Sequence, residues 1–190
     1  MKITVTVPTP AAIHGVVSAT VAGQALQFPC AVGRGGVKPA HEKREGDGAT
    51  PLGTWPLRQL YYRADRIEAP VSKLPMTAIE PSMGWCDAAD HPRYNQLVAL
   101  PFSASHEEMH RDDHLYDLVV VLGHNDNPPV ADMGSAIFWH LRRGEADPAS
   151  WQPTAGCVAT TLTVLRTLLA SCDTSSQMVI QCRQDKPAAS

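Results

Sequence analysis

The sequence predicts a mainly β domain with one main helix late in the chain. Three observations carry that expectation. Apolar runs that alternate with polar residues or are rich in β-branched side chains recur along the chain, and Pro and Gly clusters separate them. Leucines at helical spacing occur once, at Leu162, Leu165, Leu168 and Leu169. The chain has 190 residues, 44% of them hydrophobic and 18% charged, which suits a single globular domain over residues 1–185 followed by a disordered tail at 186–190. The net charge of -3, with no cluster of Lys and Arg, argues against a nucleic-acid surface. No apolar run approaches the length of a membrane span. Nothing in the sequence sets the oligomeric state.

Taken in order, Ile3–Val7, Gly15–Ala22 and Ala25–Val32 read as strands, with Ala22-Gly23-Gln24 turning the second into the third. The glycines of Gly33-Arg34-Gly35-Gly36 lack the Lys-Ser/Thr of a phosphate loop, so they read as a turn in which Arg34 is a candidate contact for an anionic group. Lys38–Thr50 is a polar loop. Pro51-Leu52-Gly53-Thr54 reads as a turn leading into a strand, Trp55–Tyr62. Residues 63–101 show no sustained period and are expected to form either a flap, with Trp85 and Tyr94 as candidate substrate contacts, or an anchored surface loop with both aromatics in the core. His106-Glu107-Glu108-Met109-His110 matches the zinc motif H-E-x-x-H, but its polar surroundings offer no apolar face to hold a buried helix. It reads as a short solvated helix. No metal and no cofactor are expected.

Leu118–Leu122 is a buried strand ending in Gly123-His124-Asn125, and Ala136–Trp139 is a second apolar run ending at His140. Adjacent strands surfacing on one side would bring His124 and His140 together, with Asn125 nearby. After the exposed loop Arg142–Gln152 come Pro153-Thr154-Ala155-Gly156-Cys157 and then the leucine helix, capped by Thr160 or Thr161. That places Cys157 at or just before a helix N-terminus, where partial positive charge favours the thiolate. With His140 as base and the N–H groups near Gly156 and Cys157 as oxyanion donors, the parts of a Cys–His acyl-transfer site are present. Met178–Cys182 is the last strand.

The order His140, a strand and loop, then Thr154-Ala155-Gly156-Cys157 resembles the signature of the YkuD-type L,D-transpeptidase family, in which a His precedes Ser/Thr-His-Gly-Cys. The upstream segment Arg44–Leu57, with its Thr-Pro-Leu-Gly-Thr-Trp, resembles the same family, and the likeness runs from about Ala31 to Ile180. The chain departs from the pattern at Ala155, where a second His is common, and at Ala159, where Arg or Asn often stands. His124 is the candidate to fill the space left at Ala155, the alternative being a histidine that makes a hydrogen bond within its own turn.

The resemblance implies a mixed β-sandwich with one main helix behind the nucleophile. It also implies a substrate, the peptidoglycan stem tetrapeptide or a muropeptide carrying it, cut before the terminal D-alanine. No signal peptide is evident, and five cysteines without a C-x-x-C pair suit reduced thiols in a cytosol. The expected activity is therefore a cytoplasmic L,D-carboxypeptidase of muropeptide recycling. A periplasmic location would apply to a chain trimmed of a leader. The alternatives are an L,D-transpeptidase that makes cross-links or exchanges D-amino acids, and a non-catalytic ligand-binding β domain.

Overall fold

Strand β1 (Lys2–Val7) buries Ile3, Val5 and Val7 and turns Lys2, Thr4 and Thr6 outward, the period-2 pattern of a strand with one face in a core. The computed structural model, which describes residues 1–183, continues with β2 (His14–Val21) and β3 (Gln24–Ala31). These pair from His14↔Ala31 to Val21↔Gln24 around a two-residue turn. Ala22 and Gly23 take φ of +49° and +82° there, the signs a type I′ hairpin requires. Then come β4 (Val37–Pro39), β5 (Thr50–Tyr62), β6 (Met76–Ala78), β7 (Met83–Cys86), β8 (Leu97–Ala99), β9 (His106–Glu108), β10 (Leu118–Leu122), β11 (Phe138–Leu141) and β12 (Val158–Thr160). Helix α1 (Leu162–Leu169) and strand β13 (Gln177–Cys182) complete the order. The expected boundary at 185 and the tail 186–190 lie outside the described residues.

The main sheet runs β10-β11-β12-β3-β2-β1-β13-β5-β4, and β10 also pairs with β5. The two layers of the expected sandwich are thereby joined into a ring of eight strands, with β4 and β6 added beside β5. Alternate residues of each strand serve two cores. Leu118, Val120, Leu122, Trp139 and Val158 join the larger one, together with Val164, Leu165, Leu168 and Leu169 of α1. Val119, Val121, Phe138 and Cys157 face the other way, into a second cluster with Trp85, Met109 and Tyr116. A separate three-stranded sheet, β8-β7-β9, supplies Trp85, whose ring meets Phe138 edge-on at 5.1 Å. The candidate site lies on this second side.

Four expectations are corrected. Pro51–Thr54 is not a turn: it is the first part of a 13-residue strand, paired with β4 on one side and β13 on the other, and Gly53 absorbs the irregularity at φ +148°. Residues 63–101 contain three strands, because pairing with β5 and within the small sheet orders a segment that has no period of its own. The H-E-x-x-H stretch is a strand and not a short helix, since Glu107 stands opposite Trp85 and His106 opposite Cys86. Cys157 does not precede the helix directly. The helix starts at Leu162, capped by Thr161, whose side chain accepts from the Val164 N–H at 3.3 Å, and β12 separates it from Cys157.

Candidate active site

Strands β11 and β12 are parallel, with Trp139↔Val158 and His140↔Ala159 in register. Because side chains alternate, Phe138, His140, Cys157 and Ala159 all leave the sheet on the face opposite Trp139 and Val158. His140 and Cys157 are thus diagonal neighbours on adjacent strands, with backbones about 8 Å apart by strand spacing and rise. Both line one cleft of about 220 Å³, together with Glu107, Arg111, Tyr116, Arg143 and Thr154. His140 sits within its strand and not at a surfacing end, and only 6% of it is exposed.

The imidazole has one defined partner. Its Nδ1 lies 2.8 Å from the Leu141 carbonyl, which only accepts, so Nδ1 carries the proton and Nε2 is bare. Tyr116 packs edge-on against the ring at 5.3 Å. Burial pushes the His140 pKa down to about 4, so the ring is neutral at ordinary pH.

The cysteine is held by a clamp. Thr154 Oγ1 donates to the Cys157 carbonyl at 2.7 Å and accepts from the Gly156 N–H at 3.1 Å, and Thr50 Oγ1 donates to the same carbonyl at 3.3 Å. Thr154 is itself fixed by Thr154 N–H to Val32 O at 2.9 Å and Arg34 N–H to Thr154 O at 2.8 Å. Gly156 adopts φ +146°, and a Cβ there would stand 3.1 Å from the Ala49 carbonyl, so glycine is required on two counts. The thiol donates to the Ala136 carbonyl at 3.2 Å, and the Phe138 N–H donates to Sγ at 3.4 Å. Burial pushes the thiol pKa up to about 12, with the charge of Glu107 adding to the rise. The thiolate-favouring helix terminus expected from the sequence is not there, and Cys157 rests as a neutral thiol.

Opposite charges mark the rest of the cleft. Arg111 grips Asp113 through Nε at 2.9 Å and Nη2 at 2.8 Å, and Arg143 reaches the same carboxylate at 2.8 Å. Two guanidiniums on one carboxylate leave a positive edge. Glu107 accepts from the Tyr116 hydroxyl, and burial raises its pKa. Local patterns in the sequence did not single out Arg111, Tyr116 or Arg143. Glu107 stood in the H-E-x-x-H stretch, and the β7–β9 pairing brings it into the cleft that holds the cysteine. Among the described residues, no three His, Cys, Asp or Glu side chains are grouped to hold a metal ion.

The remaining candidates lie elsewhere. Strands β10 and β11 are antiparallel, so their C-terminal ends point in opposite directions, and His124 does not join His140. His124 packs edge-on against Trp55 at 4.8 Å and bonds the Met133 carbonyl at 2.9 Å, so it does not fill the space at Ala155. Asn125 closes its own loop through the Val130 and Gly134 carbonyls, both at 2.9 Å. The Arg34 side chain is exposed and lies against Gly48. Trp85 and Tyr94 are buried, with Trp85 in the second core and the Tyr94 hydroxyl on Glu45. None of these five side chains lines the cleft.

No curated protein and no solved structure matches the chain. The family model for the L,D-transpeptidase catalytic domain, YkuD, matches residues 16–180. That match spans every strand that builds the cleft, and the chain accordingly belongs to the YkuD family, the cysteine enzymes of L,D-transpeptidase type that act on peptidoglycan.

Proposed function

We propose that the chain is an L,D-carboxypeptidase that removes the terminal D-alanine from peptidoglycan stem tetrapeptides, working in the cytoplasm on muropeptides returned from wall turnover. The observation that carries the reading is the placement of Cys157 and His140 on one face of neighbouring strands in a single cleft with a positive edge. The surplus positive charge of Arg111 and Arg143 suits the free carboxylate of a terminal residue.

The chemistry follows in balanced steps. His140 Nε2 takes the thiol proton as Cys157 Sγ bonds to the carbonyl carbon, and the Cys157 N–H is the donor assigned to the oxyanion. The C–N bond then breaks as His140 returns the proton to the leaving amine of D-alanine. Water, deprotonated by His140, attacks the thioester, releasing a tripeptide carboxylate and restoring the thiol. Ala155 and Ala159 keep the cleft wall small, which favours water as the acceptor. The cytoplasmic assignment rests on five unpaired cysteines, four of them buried.

Incubation of the protein with a tetrapeptide, with and without excess D-amino acid, tests the proposal by mass spectrometry. Tripeptide plus D-alanine is expected in both reactions, and none from Cys157→Ala. Exchanged tetrapeptide or dimer with little tripeptide would assign transpeptidation instead. Unchanged peptide in every reaction would favour a binding domain.

A further inference from the structure

We propose that Asn95 is a positioning residue for the nucleophile: it clamps Ala136 in the backbone conformation that aims the Ala136 carbonyl at the Cys157 thiol. Asn95 lies between β8 and the end of β7, is 7% exposed, and uses its whole side-chain amide. Its Oδ1 accepts from Trp85 Nε1 and from the Ala136 N–H, both at 3.0 Å. Its Nδ2 donates to the His124 carbonyl at 3.1 Å and the Asn125 carbonyl at 2.7 Å. One side chain therefore joins the small sheet, the turn after β10 and the segment entering β11.

Ala136 takes φ +50°, a left-handed conformation that a non-glycine residue adopts only when its surroundings impose it. The bond from its N–H to Asn95 is that imposition. On the far side of the same residue, the carbonyl accepts the thiol hydrogen at 3.2 Å. A carbonyl in this position stabilises the thiol and repels the thiolate, so it parks the sulfur in its neutral form until substrate draws the proton to His140. Besides the packing of Trp85 in the cluster that holds Cys157, the small sheet reaches the thiol by a second route, through Asn95 and the Ala136 carbonyl. The effect on turnover rests on the reading of Cys157 as the nucleophile, whereas thiol labelling needs no substrate.

The test uses Asn95→Gly, because Asn95 itself has φ +56° and glycine removes the side chain without straining the backbone. The pH profile of Cys157 alkylation is followed by peptide mapping, beside turnover of the tetrapeptide. Glu107, Tyr116, His140 and Lys43, the ionisable groups that face the sulfur, are unchanged in the variant. The profile is expected to move toward acid by about one pH unit, since the thiolate loses a facing carbonyl, while turnover falls about tenfold through lost orientation. Trp85→Phe removes one donor to Oδ1 and part of the ring packed on Phe138 but leaves the Asn95–Ala136 bond. Its alkylation profile should therefore move far less than that of Asn95→Gly, and an equal shift would overturn the proposal. An unmoved profile in folded Asn95→Gly would overturn the proposal. Equal gains in labelling at buried Cys30 and Cys86 would overturn it too, by showing general loosening. If the alkylation profile moves and no variant or wild type turns over peptide, the positioning stands and the enzymatic reading fails.

Discussion

The Nδ1–H of His140 donates to the carbonyl of the next residue, Leu141, at 2.8 Å, so the ring is tied to its own strand. Among the described residues, no acidic side chain bonds this base. A carbonyl fixes the tautomer without adding negative charge, and burial then holds the pKa near 4.

The acid limb of kcat/KM should accordingly lie near pH 4, well below the ordinary range of histidine. A group with a lowered folded pKa is protonated only below it, so the base is competent throughout neutral pH. A pH–rate profile in the free-enzyme regime checks this, and a limb near pH 6.5 would show a solvated base instead. His140→Ala should lose about 10²–10⁴ in rate with the fold intact.

Thr154 is expected to matter through geometry. Thr154→Val keeps the branched shape and deletes both hydroxyl bonds, leaving the Gly156 N–H without its acceptor. The expected cost is about 1–3 kcal/mol of stability by denaturant unfolding, with reduced turnover, and Thr154→Ser should restore most of both. Equal turnover in Thr154→Val and wild type would show that the clamp does not orient the cysteine.

Asp47 provides a pH-dependent element of stability. Lys43, 2% exposed, bonds its carboxylate at 2.6 Å, and the Ala49 and Arg44 N–H groups add bonds at 2.9 and 3.0 Å. Burial alone would raise the Asp47 pKa, but these partners hold it at about 2 against an ordinary 3.8. The folded value is the lower one, so the stabilisation is present above about pH 4 and is lost as pH falls toward 2. It is on the order of 2 kcal/mol. Asp47→Asn should remove most of that acid-range dependence and also strand the buried Lys43 ammonium, visible as a lower Tm at neutral pH. An unchanged slope of stability against pH between 4 and 2 would refute the assignment.

Strands with their own signal were legible: the alternation in β1, the hairpin of β2 and β3, the β-branched run of β10 and the leucine face of α1. That Cys157, His140 and Thr154 would share one cleft was legible as well, because they lie close in the chain and within one motif. The other half of the cleft was not. Glu107 enters the cleft of Cys157 only through pairing of β9 with β7, and Arg143 joins the Arg111–Asp113 pair from 30 residues beyond Asp113. Such meetings depend on long-range register, which a local period does not encode. His124 misled for the same reason: strand direction decides which ends share a side, and nothing near His124 in the sequence states that β10 and β11 are antiparallel.

Strand β12, three residues long, is bordered by β11 from just upstream and by β3, which it meets at Ala159↔Ala31. The ring that contains them closes through β1 with β13, partners 175 positions apart at Lys2↔Gln177, and through β5 with β10. Contacts of such separation form late, because the chain entropy lost in each closure must be repaid by burial that comes only when the ring is whole. The register that sets Cys157 diagonal to His140 is short-range by comparison, but its second border, β3, belongs to the ring that these distant pairs close. Damage to a distant closure, such as the β1–β13 pair, should therefore loosen the alignment of thiol and imidazole without touching either residue.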